Sequence, residues 1–151
     1  MFSIGDKVVY PLYGAGVIED IEQKEINGEE QLYYIMRMPI GNLKIMLSVR
    51  KAEELGIRQI HGSEELMETI CEVRVIRMSE NWNQRYKDNM EKIKTGNLYE
   101  VAEVFRTLRE RERERGLSSA EKKMLSTVKQ IILSEIILSY DVERQIGRAH
   151  V

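Results

Sequence analysis

The sequence predicts an α+β protein, a small β-barrel followed by an all-helical domain. Three observations carry that expectation. The chain opens with short apolar runs broken at close intervals by Gly, Asn and Pro, as short strands joined by turns require. Near residue 50 the turn residues thin out, and Glu, Lys, Arg and Leu take over with apolar positions at helical period. The 151 residues are 42% hydrophobic and 32% charged, enough for one ordinary domain or two small ones.

The strands come first. Lys7-Val8-Val9-Tyr10-Pro11 is an apolar run that stops at proline, which has no N–H for a ladder. Tyr13-Gly14-Ala15-Gly16 suits a sharp turn or bulge. A phosphate loop is the weaker reading there, because no Gly-Lys-Ser/Thr follows and a strand comes next. Val17–Glu22 is the second strand, and Asn27-Gly28 marks a type I′ hairpin turn. Tyr33–Met38 is the third. After Gly41-Asn42, the stretch Leu43–Ser48 alternates, with Leu43, Ile45 and Leu47 inward and Lys44, Met46 and Ser48 outward. With a short fifth strand near residue 57, these elements would curl into a barrel that protects the edges of so small a sheet.

The helices follow a linker at Gly56 and His61-Gly62-Ser63. Ser63 is expected to cap a helix with Glu64 and Glu65 in its first turn and Leu66, Ile70, Val73 and Arg77 along one face. The next helix starts within Ser79-Glu80-Asn81-Trp82-Asn83-Gln84-Arg85-Tyr86-Lys87, which holds the only tryptophan. Trp82, Tyr86, Met90 and Ile93 fall at helical spacing, so periodicity alone makes Trp82 the first knob of a core face. With Asn81 as cap, however, Trp82 takes the first helical position, where a side chain can project past the helix end. An aromatic, two cations and a helix N-terminus can also build a nucleic-acid contact. Both readings stand on the residues alone.

Gly96 ends that helix. Leu98, Val101, Ala102, Phe105 and Leu108 make the buried face of another, whose end, Arg109–Arg115, alternates in sign. Such a run is usually a solvated face; the alternative is that some of its arginines line a groove. Ser118-Ser119-Ala120-Glu121 is a capping box, and Met124, Leu125, Val128, Ile131, Ile132 and Leu138 form the apolar face of the helix it opens. The expected organisation is a barrel at 1–57, a linker at 58–62, a helical domain at 63–142 and a flexible tail at 143–151, whose patternless Arg148-Ala149-His150-Val151 is expected either to fray or to be foreign to the native chain.

Composition excludes several function classes. A net charge of −2 is incompatible with a globally basic nucleic-acid binder, although 23 Lys and Arg leave room for a local patch. The single Cys71 cannot form an internal disulfide or a multi-cysteine zinc site, and reads as a small buried side chain in a reducing compartment. His61 and His150 have no neighbouring ligand set. No metal cluster, phosphate loop or nucleophile–base pair rises above chance, so neither an enzyme nor a cofactor is expected. The sequence carries no signal peptide and no long apolar run, which points to the cytoplasm and away from a membrane partner.

Ile4-Gly5-Asp6-Lys7-Val8-Val9-Tyr10-Pro11, Gly14-Ala15-Gly16-Val17-Ile18 and Ile21-Glu22 resemble the opening of the CarD/CdnL family of bacterial transcription regulators. Asn81-Trp82, Arg85-Tyr86-Lys87, Glu91-Lys92, Val101–Val104, Arg115–Ser118 and Glu121–Leu125 resemble that family's C-terminal helical domain. The motifs fall in family order from Ile4 to about Leu138. Transcription-repair coupling factors share the barrel but not the helical half.

The resemblance implies a Tudor-like barrel that binds the β1 lobe of the RNA polymerase β subunit. Its basic polymerase-binding positions fall on Lys24 and on Met46, where well-known members have an arginine. The resemblance also implies a helical domain on promoter DNA, with Trp82 wedged into the minor groove at the upstream edge of the bubble. Arg85, Lys87, Lys122 and Lys123 would lie near phosphates, with little sequence readout, and Gln84 takes the place of a further family arginine. The implied function is stabilising or tuning the open promoter complex in a nucleoid-associated cytoplasmic protein. A protein-interaction adaptor without a DNA role is the alternative.

Overall fold

The computed structural model describes residues 1–149, with side chains described for residues 1–141. Its N-terminal half is a curled sheet built from β1 (Lys7–Tyr10), β2 (Gly14–Ile26), β3 (Glu29–Arg37), β4 (Lys44–Ser48) and β5 (Arg58–Gln59), with a short helix α1 (Val49–Leu55) between the last two. The strand order is β4-β3-β2-β1-β5, and every neighbouring pair is antiparallel. This agrees with the small barrel the sequence predicts, which the resemblance implies is Tudor-like.

Asn27 and Gly28 both take positive φ, 54° and 80°, so the β2–β3 hairpin closes through the expected I′ geometry. β2 begins earlier than expected: Gly14, Ala15 and Gly16 already pair with Tyr10, Val9 and Val8. The register shifts between Ile18 and Asp20, leaving Glu19 in a bulge where it pairs with Arg37 and, at 3.4 Å, with Lys44. The barrel core gathers Val8, Tyr10, Ile18, Tyr34, Met36 and Leu47, with Ala52 of α1 and Ile57 packed among them. The helix α1 has no counterpart in the sequence reading. It buries only Val49 and Ala52, too few positions to display a period, and Ser48 and Gly56 cap its ends. Leu43 lies before β4 and is exposed rather than inward, because the alternation holds only within the paired strand.

Residues 58–62 are not a free linker. Arg58 and Gln59 pair with Val9 and Val8, which carries the sheet two residues past the expected domain boundary.

The helical half contains α2 (Ser63–Glu72), α3 (Trp82–Lys94), α4 (Leu98–Glu114) and α5 (Ser119–Ala149). Gly62, not Ser63, occupies the cap position of α2. The helix also ends before Val73 and Arg77, which were expected to continue its face. The Val73-Arg74-Val75-Ile76 stretch is rich in β-branched residues that lose rotamer freedom in a helix. It carries no regular secondary structure, and the Ile76 N–H donates to Thr107 Oγ1 of α4 at 3.1 Å. Asn81 and Asn97 cap α3 and α4 by accepting from the N–H groups of Gln84 and Glu100. The core between α3, α4 and α5 includes Ile93, Val101, Val104, Leu108, Met124, Leu125 and Val128. α5 continues through Ala149, past the point where a tail was expected; residues 150 and 151 lie outside the described residues. Cys71 is exposed on α2, contrary to the buried position its small apolar side chain suggests, because the buried contacts of α2 fall on Ser63 and Leu66.

Candidate nucleic-acid interface

Trp82 opens α3 and stays 41% exposed, which separates it from the core stripe that periodicity allowed. Its ring is nevertheless held. One face stacks on Tyr86, with centroids 5.4 Å apart and planes inclined by 19°. The indole N–H donates to the Ser118 hydroxyl at 3.0 Å. The spacing of four residues between Trp82 and Tyr86 puts both rings on one side of α3, one turn apart. Below them the stripe sinks inward through half-buried Met90 to buried Ile93.

Ser118 belongs to the capping box of α5. Its hydroxyl accepts the N–H of Glu121 at 3.2 Å and donates to Glu121 Oε1 at 3.0 Å. The box matches the sequence expectation, but Glu121 has a second duty that the sequence did not reveal. Its carboxylate receives Nε and Nη2 of Arg85 at 2.8 and 3.1 Å, and both side chains are almost fully buried. Nη1 of Arg85 reaches the carbonyls of Ser79 and Glu80, the two residues that lead into the α3 cap.

The paired guanidinium holds the Glu121 carboxyl below its ordinary range against an opposing effect of burial, with the Ser118 hydroxyl helping. The same hydrogen bonds raise the pKa of Arg85. A continuous polar chain therefore runs from Trp82 through Ser118 and Glu121 to Arg85 and back to the approach of Trp82.

This geometry revises the expectation for Arg85. A phosphate would have to displace Glu121 to reach its guanidinium, so Arg85 organises the site from below. Lys87, Lys122 and Lys123 are exposed, as expected. Lys122 and Lys123 are the fourth and fifth residues of α5, whose capping Ser118 receives Trp82. Lys123 also lines a cleft of about 180 Å³ with Tyr86 and Met124. Trp82, Tyr86 and Lys123 thus lie where the N-termini of α3 and α5 converge, with exposed Lys122 next to Lys123 in the chain, and helix N-termini favour phosphate. The alternating run at the end of α4 is largely exposed, with Arg109 lying over the Phe105 ring at 5.9 Å. Arg111 and Arg115 do line a shallow groove with Arg77, together with Glu80, Glu110 and Glu114, which leaves it without a clear charge.

The barrel residues sit elsewhere. Lys24 pairs with Gln31 and Met46 with Ile35, so both side chains leave the same outer face of the sheet. Four positions along β3 separate the two pairings, roughly 13 Å of strand. Met46 is 49% exposed on edge strand β4, while Lys24 lies 3.6 Å from Glu22. Half-buried Tyr33 and Ile35 fill the face between them.

The described residues thus form a curled N-terminal sheet followed by a helical domain, with a held surface tryptophan at a helix start. Residues 2–61 match the CarD-like/TRCF RID domain, and residues 65–148 match the CarD C-terminal domain. The chain belongs to the CarD-like transcription factor family, which is not an enzyme family. It is 40% identical over 152 residues, 97% of each chain, to a protein of Bacillus subtilis (strain 168) named "Putative transcription factor YdeB". Among the described residues no helix is long and apolar enough to cross a membrane.

Proposed function

We propose that this protein binds the RNA polymerase β subunit through its barrel and stabilises the open promoter complex with Trp82 at the upstream edge of the bubble. The observation that carries the reading is the state of Trp82: exposed on one face, stacked on Tyr86 on the other, and fixed by Ser118. A large aromatic left in water is otherwise unfavourable, and ring stacking with a hydrogen bond fixes its direction beforehand.

An aromatic placed where base stacking is lost recovers about 1–3 kcal/mol. A contact made only in the open complex shifts the equilibrium toward that complex by its own free energy. At about 1.4 kcal/mol per factor of ten, one such contact is enough to regulate initiation. Lys87, Lys122 and Lys123 add salt-dependent affinity for phosphates without reading sequence. With a net charge of −2, the barrel's hold on the β1 lobe supplies the local concentration that free DNA binding would lack. Lys24, Met46 and the outer sheet face between them form the proposed polymerase contact. Such a protein works in the bacterial cytoplasm, on the nucleoid.

Trp82→Ala tests the reading. It is expected to shorten open-complex lifetime on a linear promoter template while core polymerase still binds. An unchanged lifetime with a folded variant overturns the wedge. Lys24→Glu with Met46→Glu is expected to abolish binding to the isolated β1 lobe; retained binding would move the contact to another face.

A further inference from the structure

Ser134 and Glu135 are buried polar residues in the middle of α5, and nothing in the Trp82 site uses them. Both face the barrel. Glu135 is 1% exposed and takes Nη1 and Nη2 of Arg58 at 2.9 Å each, plus the N–H of His61 at 2.8 Å. Ser134 Oγ accepts the N–H of Ala15 in β2 at 2.8 Å and donates to the Ile131 carbonyl. The backbones approach closely at two points. A Cβ on Gly14 would lie 2.7 Å from Ser134 Oγ, and a Cβ on Gly96 would lie 2.8 Å from Pro11 Cγ. Leu12, at φ 75°, projects from the β1–β2 turn into the helical core.

These contacts also reach α3. Nε of Arg58 donates to the Gly96 carbonyl at 2.8 Å, just past the C-terminal end of the helix that begins at Trp82. Leu12 lines the same cleft as Tyr86, the ring on which Trp82 stacks. The barrel therefore grips the far end of α3 and shares a cleft with its near end. A helix of 13 residues is about 20 Å long, so a tilt of about 10° at Gly96 would move Trp82 by about 3 Å.

From this geometry we infer that Glu135 is a positioning residue. Through Arg58 and His61 it joins barrel and helical domain into one rigid body and sets a fixed offset between the sheet face of Lys24 and Met46 and the ring of Trp82. The inference rests on the proposed function. A flexible tether would raise the local concentration of Trp82 without directing it, whereas a rigid one removes the ordering cost of each engagement.

The test uses the full chain. Cys71 is the only cysteine and is exposed, and the Arg50 side chain is 85% exposed, so Arg50→Cys adds one partner for a spin-label pair across the domains. The unmodified interface is expected to give one narrow distance. Glu135→Gln keeps the side-chain volume but removes the charge that holds Arg58. It should broaden the distance distribution, leave core polymerase binding unchanged and shorten open-complex lifetime by about tenfold. Should Glu135→Gln fold poorly, Arg58→Gln breaks the same pair from its more exposed side. A narrow distribution in the variant that folds overturns the inference. So does a broad distribution with unchanged lifetime while Trp82→Ala still shortens it. If Trp82→Ala itself has no effect, the wedge reading falls, and the distance distributions still decide whether Glu135 fixes the offset.

Discussion

The indole N–H of Trp82 donates to a hydroxyl, that of Ser118, which is already fully engaged. A serine hydroxyl has one proton to give and two lone pairs to accept with. Here the proton goes to Glu121, and the lone pairs take Trp82 and the Glu121 N–H. The surface tryptophan is thus tied to the cap of another helix rather than left as a free rotor.

Ser118→Ala removes the acceptor and the cap together. The lost cap is expected to cost about 1 kcal/mol of stability. Trp82, the only tryptophan, should then show lower steady-state fluorescence anisotropy and a red-shifted emission. Ser118→Thr retains the hydroxyl and should stay near the starting values. Anisotropy unchanged in Ser118→Ala would mean that stacking on Tyr86 alone fixes the ring.

The Arg85–Glu121 pair should behave as a buried ion pair. Removing one partner leaves an uncompensated charge in the interior. Glu121→Ala is therefore expected to cost about 3–5 kcal/mol in urea unfolding. Combining Arg85→Met with Glu121→Leu removes both charges and should recover most of that loss. If the double variant is no better than the single one, the guanidinium is already solvated and the pair contributes little.

The same pair sets an acid limit. Folding lowers the Glu121 pKa from an ordinary value of 4.5, chiefly through the Arg85 hydrogen bonds. A group depressed in the folded state contributes stability above its unfolded pKa and loses it as pH falls through the folded value. Unfolding free energy measured against pH should therefore decline below about pH 4.5. Glu121→Gln should flatten that decline. Some slope should remain, because Arg37 lowers the pKa of Glu19 in the same direction. An unaltered limb in Glu121→Gln would assign the acid sensitivity to other carboxylates.

Local signals made much of this fold legible. Asn27-Gly28, the Asn81 cap and the Ser118–Glu121 box each act within a few residues, so their chemistry is visible in the sequence. What escaped depends on partners distant in the chain. Arg85 reads as a surface cation until Glu121, 36 residues away, is brought against it. The Val73–Ser79 connector carried apolar spacing that suited a helix, yet its β-branched residues and the Thr107 contact favour an irregular path. Glu135 did leave a trace: it falls in step with Val128, Ile131, Ile132 and Leu138, a carboxylate set in an apolar stripe. Such a residue signals a buried cation from another element, although sequence alone does not name Arg58.

Lys122 and Lys123 follow a different logic, because their proposed partner is outside the protein. Each phosphate contact adds about 0.9 to the slope of log affinity against log salt. Lys122→Ala with Lys123→Ala should lower that slope by about 1–2 when association with polymerase-bound promoter is measured over a salt series. The effect should be similar across promoter sequences, since phosphates carry no base identity. Arg85→Met is the informative contrast. With its guanidinium committed to Glu121, it should weaken Trp82 placement and stability but leave the salt slope unchanged. A slope that falls with Arg85→Met as much as with the lysines would mean that Arg85 exchanges Glu121 for a phosphate when DNA arrives. The capping box would then have to open as part of binding.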